Sequence, residues 1–199
     1  MKRMNIFFIL KSIITIVFVL TQVFEIKATQ NIETYPYYVI KNYGSFEIRK
    51  YEGANFTSVT MPVKTYKESS GEGFRTLASY IFGNNTSNKK IAMTSPVAMS
   101  MGDSITMKFL IPSKQQLETM PTPTNNKIKF TTEPAKTVAA ISFGGWANDK
   151  KISAYTEKLK VLLAENKIVY TEAFTYLGYN SPFTIINRRN EIIVEIQNL

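Results

Sequence analysis

The 199-residue sequence contains no cysteine and no histidine. Without thiols the fold has no disulfide bond, and thiolate metal sites and thioether-linked cofactors are excluded. Histidine is the commonest metal ligand and the usual general base of enzymes. The two absences together exclude histidine-ligated metals and sites in which histidine or cysteine drives nucleophilic catalysis.

Acidic residues are also scarce, with 15 Asp and Glu against 24 Lys and Arg, a net charge of +9. Asp103 and Asp149 are the only aspartates, and no two carboxylates form a recognisable acid–base pair. We therefore expect a protein that is not an enzyme. The catalytic alternative is a hydrolase that uses Glu72 or Glu133 as its base.

The basic residues do not form a nucleic-acid-binding pattern. Lys89-Lys90, Lys150-Lys151 and Arg188-Arg189 are scattered pairs, and no strand combines basic and aromatic residues as an RNA-recognition strand does. We expect a solvated basic surface and no nucleic-acid partner.

The first 28 residues have the pattern of a secretory signal. A positive start is followed by an apolar run at residues 13–24 and by Ile26-Lys27-Ala28, which suits a signal peptidase. Cleavage after Ala28 removes four basic and one acidic residue and leaves a net charge of +6. The expected product is exported, monomeric and without stable membrane contact. The alternative is an uncleaved membrane anchor.

Residues 29–34 form a polar lead-in, and residues 35–199 have the length of one domain. Phe46-Glu47-Ile48-Arg49 alternates apolar and charged side chains, which predicts a hairpin of residues 37–41 and 46–51. Further strands are predicted at residues 56–61, in two pieces of 91–111, and at 127–131, 137–143, 168–174 and 191–196.

Two amphipathic helices are predicted between these strands. Ser69 stands three residues before Glu72, a capping-box spacing, and apolar residues recur with helical period as far as Ile81. Asn148 is the predicted cap of the second helix, whose apolar stripe continues to Asn166. Each half thus contains strands, one helix and strands, an order typical of an antiparallel α+β sheet or distorted barrel.

Several motifs resemble, in the same order, those of the SOUL haem-binding family. They are Tyr38-Val39-Ile40, Phe46-Glu47-Ile48-Arg49-Lys50-Tyr51, Gly73-Phe74-Arg75-Thr76-Leu77-Ala78-Ser79-Tyr80-Ile81-Phe82-Gly83-Asn84, Lys90-Ile91-Ala92-Met93-Thr94-Ser95-Pro96-Val97, Phe143-Gly144-Gly145 and Arg188-Arg189-Asn190-Glu191-Ile192. Together they span nearly all of residues 35–199.

The resemblance implies a distorted antiparallel β-barrel of two similar halves with two α-helices, related in shape to the effector-binding domains of gyrase-inhibitor-like proteins. It also implies that haem or another porphyrin binds non-covalently in an apolar surface groove beside residues 71–82 and 180–187. The ligand-binding residues implied are Phe74, Arg75, Ala78, Ile81, Phe183 and Arg188. Histidine ligation of the iron is excluded because the chain has no histidine.

Simpler explanations of these residues stay open. A helix that packs on a sheet needs an apolar stripe whether or not it binds a ligand. Met93, Met99, Met101 and Met107 either fill gaps in the core, which we favour, or offer a thioether to iron. A tyrosine phenolate is a further alternative ligand. The expected function is an exported tetrapyrrole-binding protein, and the alternative is a sensor or sequestering module for other flat amphipathic molecules.

Overall fold

The computed structural model describes residues 11–15, 32–62 and 65–197. Residues 11–15 are helical, and the rest of the predicted signal segment lies outside the described residues. In the ranges that are described, no helix has both the length and the apolar character needed to cross a membrane.

Two helices and eleven strands form the body of residues 32–197. The helices are α1 (Tyr66–Ile81) and α2 (Asp149–Glu165). The strands are β1 (Glu33–Thr34), β2 (Tyr37–Asn42), β3 (Glu47–Tyr51), β4 (Ala54–Met61), β5 (Thr94–Ser95), β6 (Val97–Met101), β7 (Ile105–Leu110), β8 (Lys129–Glu133), β9 (Lys136–Gly144), β10 (Thr175–Gly178) and β11 (Arg189–Glu195). A single 3-10 turn, Leu117–Thr119, lies in the loop after β7.

Nine of the strands form one antiparallel sheet in the order β2-β3-β9-β11-β10-β6-β7-β4-β8. Strands β1 and β5 form a separate parallel pair. The large sheet curls into a half-barrel, which confirms the predicted α+β distorted barrel.

The two halves of the chain have the same order of elements, β3-β4-α1-β6-β7 and β8-β9-α2-β10-β11. They meet where β6 pairs with β10 in the middle of the sheet. Their first strands are exchanged, because β3 pairs with β9 and β8 pairs with β4. Each half therefore completes the sheet of the other.

Both helices bury their apolar stripes against the same main core. Leu77 of α1 and Leu159 and Leu163 of α2 are fully buried there. Helix α1 approaches the sheet closely at Gly73, where an added Cβ would lie 2.9 Å from Met61 Cε. A smaller cluster that includes Tyr51, Phe56 and Leu177 forms a second core with no helix residue in it.

Two predicted boundaries are wrong. Helix α1 begins one turn before Ser69, because Thr65 is its N-cap and its hydroxyl accepts a hydrogen bond from the Glu68 amide. The strand predicted at residues 168–174 is reduced to one antiparallel bridge between Tyr170 and Ile196, and regular pairing begins only at Thr175. The apolar side chains of this segment pack against the main core, namely those of Ile168, Tyr170 and Phe174.

Candidate ligand-binding site

A groove lies between α1 and the loop of residues 179–188 that precedes β11. We call it the α1 groove. Its main cavity measures about 350 Å³, and a second cavity of about 270 Å³ continues beneath the loop, with Phe74 lining both. The volume of the main cavity lies at the lower end of the range for small-molecule sites, roughly 300–1,000 Å³. The floor consists of Val97, Met99, Met107, Tyr176 and Gly178.

Helix α1 supplies one wall because its lining residues recur with the period of the helix. Tyr66, Ser70 and Phe74 are spaced four residues apart and therefore lie on one face. Arg75 lies on the adjacent row and is exposed at the rim. The Phe74 ring packs 5.5 Å from the ring of Phe109, which holds it over the floor.

Arg188 holds the opposite wall together. One guanidinium nitrogen donates to the carbonyls of Ser181 (3.0 Å) and Thr184 (2.5 Å), and the guanidinium lies 4.0 Å over the Trp146 ring. Among the described residues no carboxylate lies within ion-pair distance of Arg188. Its Nε and the hydroxyl of Thr184 are buried without hydrogen-bond partners.

The closed end of the groove is fixed by a buried hydrogen-bond chain. Tyr176 donates its hydroxyl to Asn190 (2.7 Å), whose amide donates to the Gly145 carbonyl (2.8 Å). Gly145 has a φ of +74°, which turns the chain and sets Trp146 at the groove. Burial and the neighbouring Tyr66 raise the pKa of Tyr176, so it stays a protonated donor at neutral pH.

The six residues expected to bind ligand fall into two groups. Phe74, Arg75 and Arg188 line the main cavity, and Phe183 lines the second one. Ala78 and Ile81 are buried in the main core and line neither cavity. Their role in binding therefore stays a prediction. In the structure they pack in the core and so support helix α1.

Three aromatic lining residues were not anticipated from the sequence. Tyr66 precedes Phe74 by two helical turns and therefore lies on the same face of α1. This spacing would have identified Tyr66 as a lining residue if the predicted helix had begun at the right position. Trp146 follows Gly144-Gly145, and a lone tryptophan after such a turn is a usable signal. Tyr176 gave no local signal, because its place depends on the pairing of β10 with β6.

The charged residues that line the groove are all basic. They are Arg75 and Arg188, and no acidic residue of the described ranges lines either of its two cavities, although Glu68 and Glu72 lie elsewhere on α1. In the described part of the chain, no cluster of three or more Asp and Glu side chains is placed to hold a metal ion. The groove thus favours an anionic, largely apolar ligand.

A separate cavity of about 290 Å³ is lined by Glu133, Lys108 and Lys136 among others. Glu133 accepts a 2.6 Å hydrogen bond from Lys108 and another from Lys136. Burial opposes ionisation of Glu133, but the two lysines outweigh it and lower its pKa. This carboxylate is therefore a weak base.

Comparison with known proteins assigns the family. The SOUL heme-binding protein family model matches residues 32–195. Heme-binding protein 2 of Homo sapiens is 33% identical over 158 residues, which cover 75% of this chain and 77% of that protein. Heme-binding protein 1 of Xenopus laevis is 30% identical over 156 residues, or 74% of this chain and 82% of that protein.

Solved structures show the same fold at much lower identity. The EcmrR C-terminal domain aligns with a TM-score of 0.58 at 11% identity, covering 77% of this chain and 98% of that one. A hydrolase from Listeria innocua aligns with a TM-score of 0.55 at 8% identity, covering 77% and 92%. At such identities the likeness concerns the fold alone. The family match and the two relatives, by contrast, show that the chain belongs to the SOUL heme-binding protein family.

Proposed function

We propose that this protein binds haem or another tetrapyrrole non-covalently in the α1 groove, as a carrier or buffer. The observation that carries the proposal is an aromatic groove bordered by two arginines, Arg75 and Arg188, that have no carboxylate partner within the described part of the chain. Membership of the SOUL heme-binding protein family and the names of the relatives support the choice of ligand.

The groove residues fit the chemistry of such a ligand. A tetrapyrrole is a flat apolar ring that carries carboxylates, so it needs an apolar slot and cations at its edge. Phe74 and Trp146 offer the slot's aromatic walls, and Arg75 and Arg188 offer the cations. The Arg188 guanidinium lines the main cavity and has no carboxylate partner among the described residues, so a ligand carboxylate can pair with it. Phe183 covers the second cavity, and Ala78 and Ile81 support the helix from the core.

We propose that the protein gives little or no ligation to the metal. Histidine is absent, and the Tyr176 hydroxyl has a raised pKa and already donates to Asn190. Met99 and Met107 belong to the floor of the groove but expose only 1% of their surface. Binding energy therefore comes from burial of the ring and from charge, which a metal-free porphyrin provides equally well.

The test is a side-by-side titration of the protein with haemin and with metal-free protoporphyrin. Both should saturate at one equivalent, because ring burial and charge are the same for the two ligands. Their dissociation constants should agree within about threefold, a free-energy difference of under about 1 kcal/mol. Much tighter binding of haemin would show that the chain ligates iron and would refute this part of the proposal. Absence of saturable binding by either porphyrin would refute the whole.

The second candidate is a sequestering module for other flat molecules. The positive charge of the groove restricts these to anions, such as bile pigments or anionic dyes. A panel of anionic and cationic dyes of matched size separates the two candidates. Tight binding of the anionic dyes without binding of either porphyrin would favour this second candidate.

We infer binding without catalysis, and export of the domain. Glu133, the alternative base of a hydrolase, is held by two lysines at a lowered pKa, and Glu72 is exposed on α1. Recovery of each bound ligand unchanged after long incubation is the expected result.

Export by residues 1–28 is checked by the N-terminal sequence of the protein made in a secreting host, which should begin at Thr29.

A further inference from the structure

We propose that the loop end of the α1 groove is a docking surface for anionic lipid membranes. The surface consists of an apolar tip, Phe82, Phe183, Ile185 and Ile186, flanked by Lys89 and Lys90. We call it the lipid-docking surface. Docking goes beyond ligand binding and does not depend on it, and it replaces the expectation from the sequence that the domain makes no stable membrane contact.

The apolar tip is exposed although the loop that carries it is folded. Phe183 is 72% exposed and Phe82 63%, and both line the same cavity beneath the loop. Ile185 and Ile186 are about half exposed. The loop meanwhile buries the polar Thr184, with Arg188 bound to its carbonyl. A loop with polar groups inside and large apolar side chains outside is typical of a surface that contacts another apolar phase.

The charge beside the tip is positive and unpaired. The Asn85 amide donates to the Lys89 carbonyl (2.7 Å), and the Ile91 amide donates to the Ile81 carbonyl (2.8 Å). These bonds hold Lys89 and Lys90 against the end of α1, next to Phe82. Neither lysine forms an ion pair with any described residue. Exposed apolar groups with free cations complement an anionic lipid surface, where each cation adds about a fivefold gain in affinity.

The equivalent end of α2 shows that this pattern is specific to one half of the molecule. Val161 and Val169 are exposed there, about half of each side chain, but Glu157 and Glu165 accompany the basic residues. That end therefore provides matched control positions. In addition, Ile32, the first residue of the described domain, lines the cavity under the tip.

Docking has a consequence that does rest on the proposed function. The second cavity of the groove opens beneath Phe183, so a docked molecule would bring its groove to the lipid surface. A tetrapyrrole, which is amphipathic, would then exchange between groove and bilayer without crossing water.

The first experiment is co-sedimentation of the full chain with phosphatidylcholine vesicles, with and without about 30 mol% phosphatidylserine. Lys89→Gln with Lys90→Gln should lower the partition coefficient on the anionic vesicles about 30-fold. Phe183→Ser with Ile186→Ser should lower it at least tenfold. Lys158→Gln with Lys167→Gln, and Val161→Ser with Val169→Ser, should leave it within about twofold. Equal losses in the control variants would overturn the proposal.

The second experiment locates the contact even if the N-terminal segment itself binds lipid. Trp146 is the only tryptophan, so Trp146→Phe gives a background without this fluorophore. In that background, the tryptophan introduced by Phe183→Trp should be quenched by brominated lipid in anionic vesicles, and that introduced by Val161→Trp should not. Quenching of both or of neither contradicts docking by this surface. Because no porphyrin is present, failure here is distinct from failure of haem binding.

Discussion

Two arginines of the α1 groove carry the same charge and have different roles. Arg188 binds two loop carbonyls and stacks on Trp146, so it shapes the wall as well as charging it. Arg75 is exposed and forms no ion pair with the described residues, so its charge is free for a ligand. The two should therefore respond differently to removal of their charge.

We expect Arg75→Gln to weaken haemin binding about fivefold and to leave the melting temperature unchanged, because it removes one exposed charge–charge contact. Arg188→Gln should weaken binding at least as much and also lower the melting temperature by a few degrees, since the loop loses its internal donor. Binding titration and thermal unfolding measure the two effects. Lys158→Gln is the matched control, and a loss of affinity there equal to that of Arg75→Gln would argue against a local role.

The start of α1 depends on a residue of the other helix. The Asp149 carboxylate accepts hydrogen bonds from the Tyr66 amide (2.6 Å) and the Lys67 amide (3.2 Å). It also lies in the first turn of α2. One carboxylate thus serves the positive ends of two helix dipoles and ties the groove wall of α1 to the second half of the chain.

Asp149→Ala should lower the free energy of unfolding by about 1–2 kcal/mol, the usual cost of a lost helix cap. Asp103→Ala is the matched control, because Asp103 is the only other aspartate and lies exposed in the turn between β6 and β7. Urea unfolding of the two variants gives the comparison. A smaller loss for Asp149→Ala than for Asp103→Ala would contradict the shared cap.

Elements whose signals are local were predictable from the sequence. The hairpin of β2 and β3 is confirmed, and so is α2, whose caps Asn148 and Asn166 are adjacent to its apolar stripe. The start of α1 was misplaced because two local signals compete: Thr65 and Glu68 have the same capping-box spacing as Ser69 and Glu72, and the first pair is the one that caps the helix. The strand predicted at residues 168–174 is shortened to a single bridge, Tyr170 with Ile196, although its apolar side chains pack against the core as the alternation predicted.

A buried ion-pair network joins distant parts of the whole molecule. Glu191 is 0% exposed and accepts hydrogen bonds from Arg49 (2.8 Å), Arg189 (2.7 Å), Tyr179 (2.8 Å) and Ser142 (3.0 Å). Burial opposes its ionisation, but Arg49 and Arg189 outweigh burial and lower the pKa of Glu191. The network links β3, β9, β11 and the start of the loop after β10 across the exchanged halves.

The lowered pKa predicts a stability that falls in acid. An unfolded glutamate protonates near its ordinary pKa of 4.5, and the folded Glu191 protonates only at lower pH. Its contribution is therefore complete above about pH 4.5 and is lost as the pH falls through the folded pKa. Glu133 adds to the same trend.

Glu191→Gln should cost about 3–5 kcal/mol at neutral pH, because it removes the carboxylate between two arginines and leaves the buried Arg49 with only the partly exposed Glu47 as its ion-pair partner. It should also flatten the acid dependence. The exposed Glu195→Gln should keep both the stability and the slope of the parent. Chemical unfolding between pH 3 and pH 7 provides the test. An unchanged slope in Glu191→Gln would show that other groups set the acid sensitivity.

The shape of the groove depends on contacts that no local pattern encodes. The family motifs indicated Phe74, Arg75, Phe183 and Arg188, and the structure brings these to one groove. Tyr176 reaches the floor only through the pairing of β10 with β6. Nor does any stretch of sequence show that β3 and β8 exchange places between the halves.

The most direct measurement is quenching of Trp146 fluorescence by haemin. Trp146 is the only tryptophan and lines the groove beside Arg188, so a bound porphyrin would lie against it. Quenching should be nearly complete at one equivalent. It should need at least a tenfold higher haemin concentration in Phe74→Asp, which places a carboxylate in the apolar slot. Circular dichroism would establish that this variant is folded, and Val161→Asp should behave as the parent. Saturable quenching that is identical in the parent and in folded Phe74→Asp would place the ligand elsewhere and contradict the proposal.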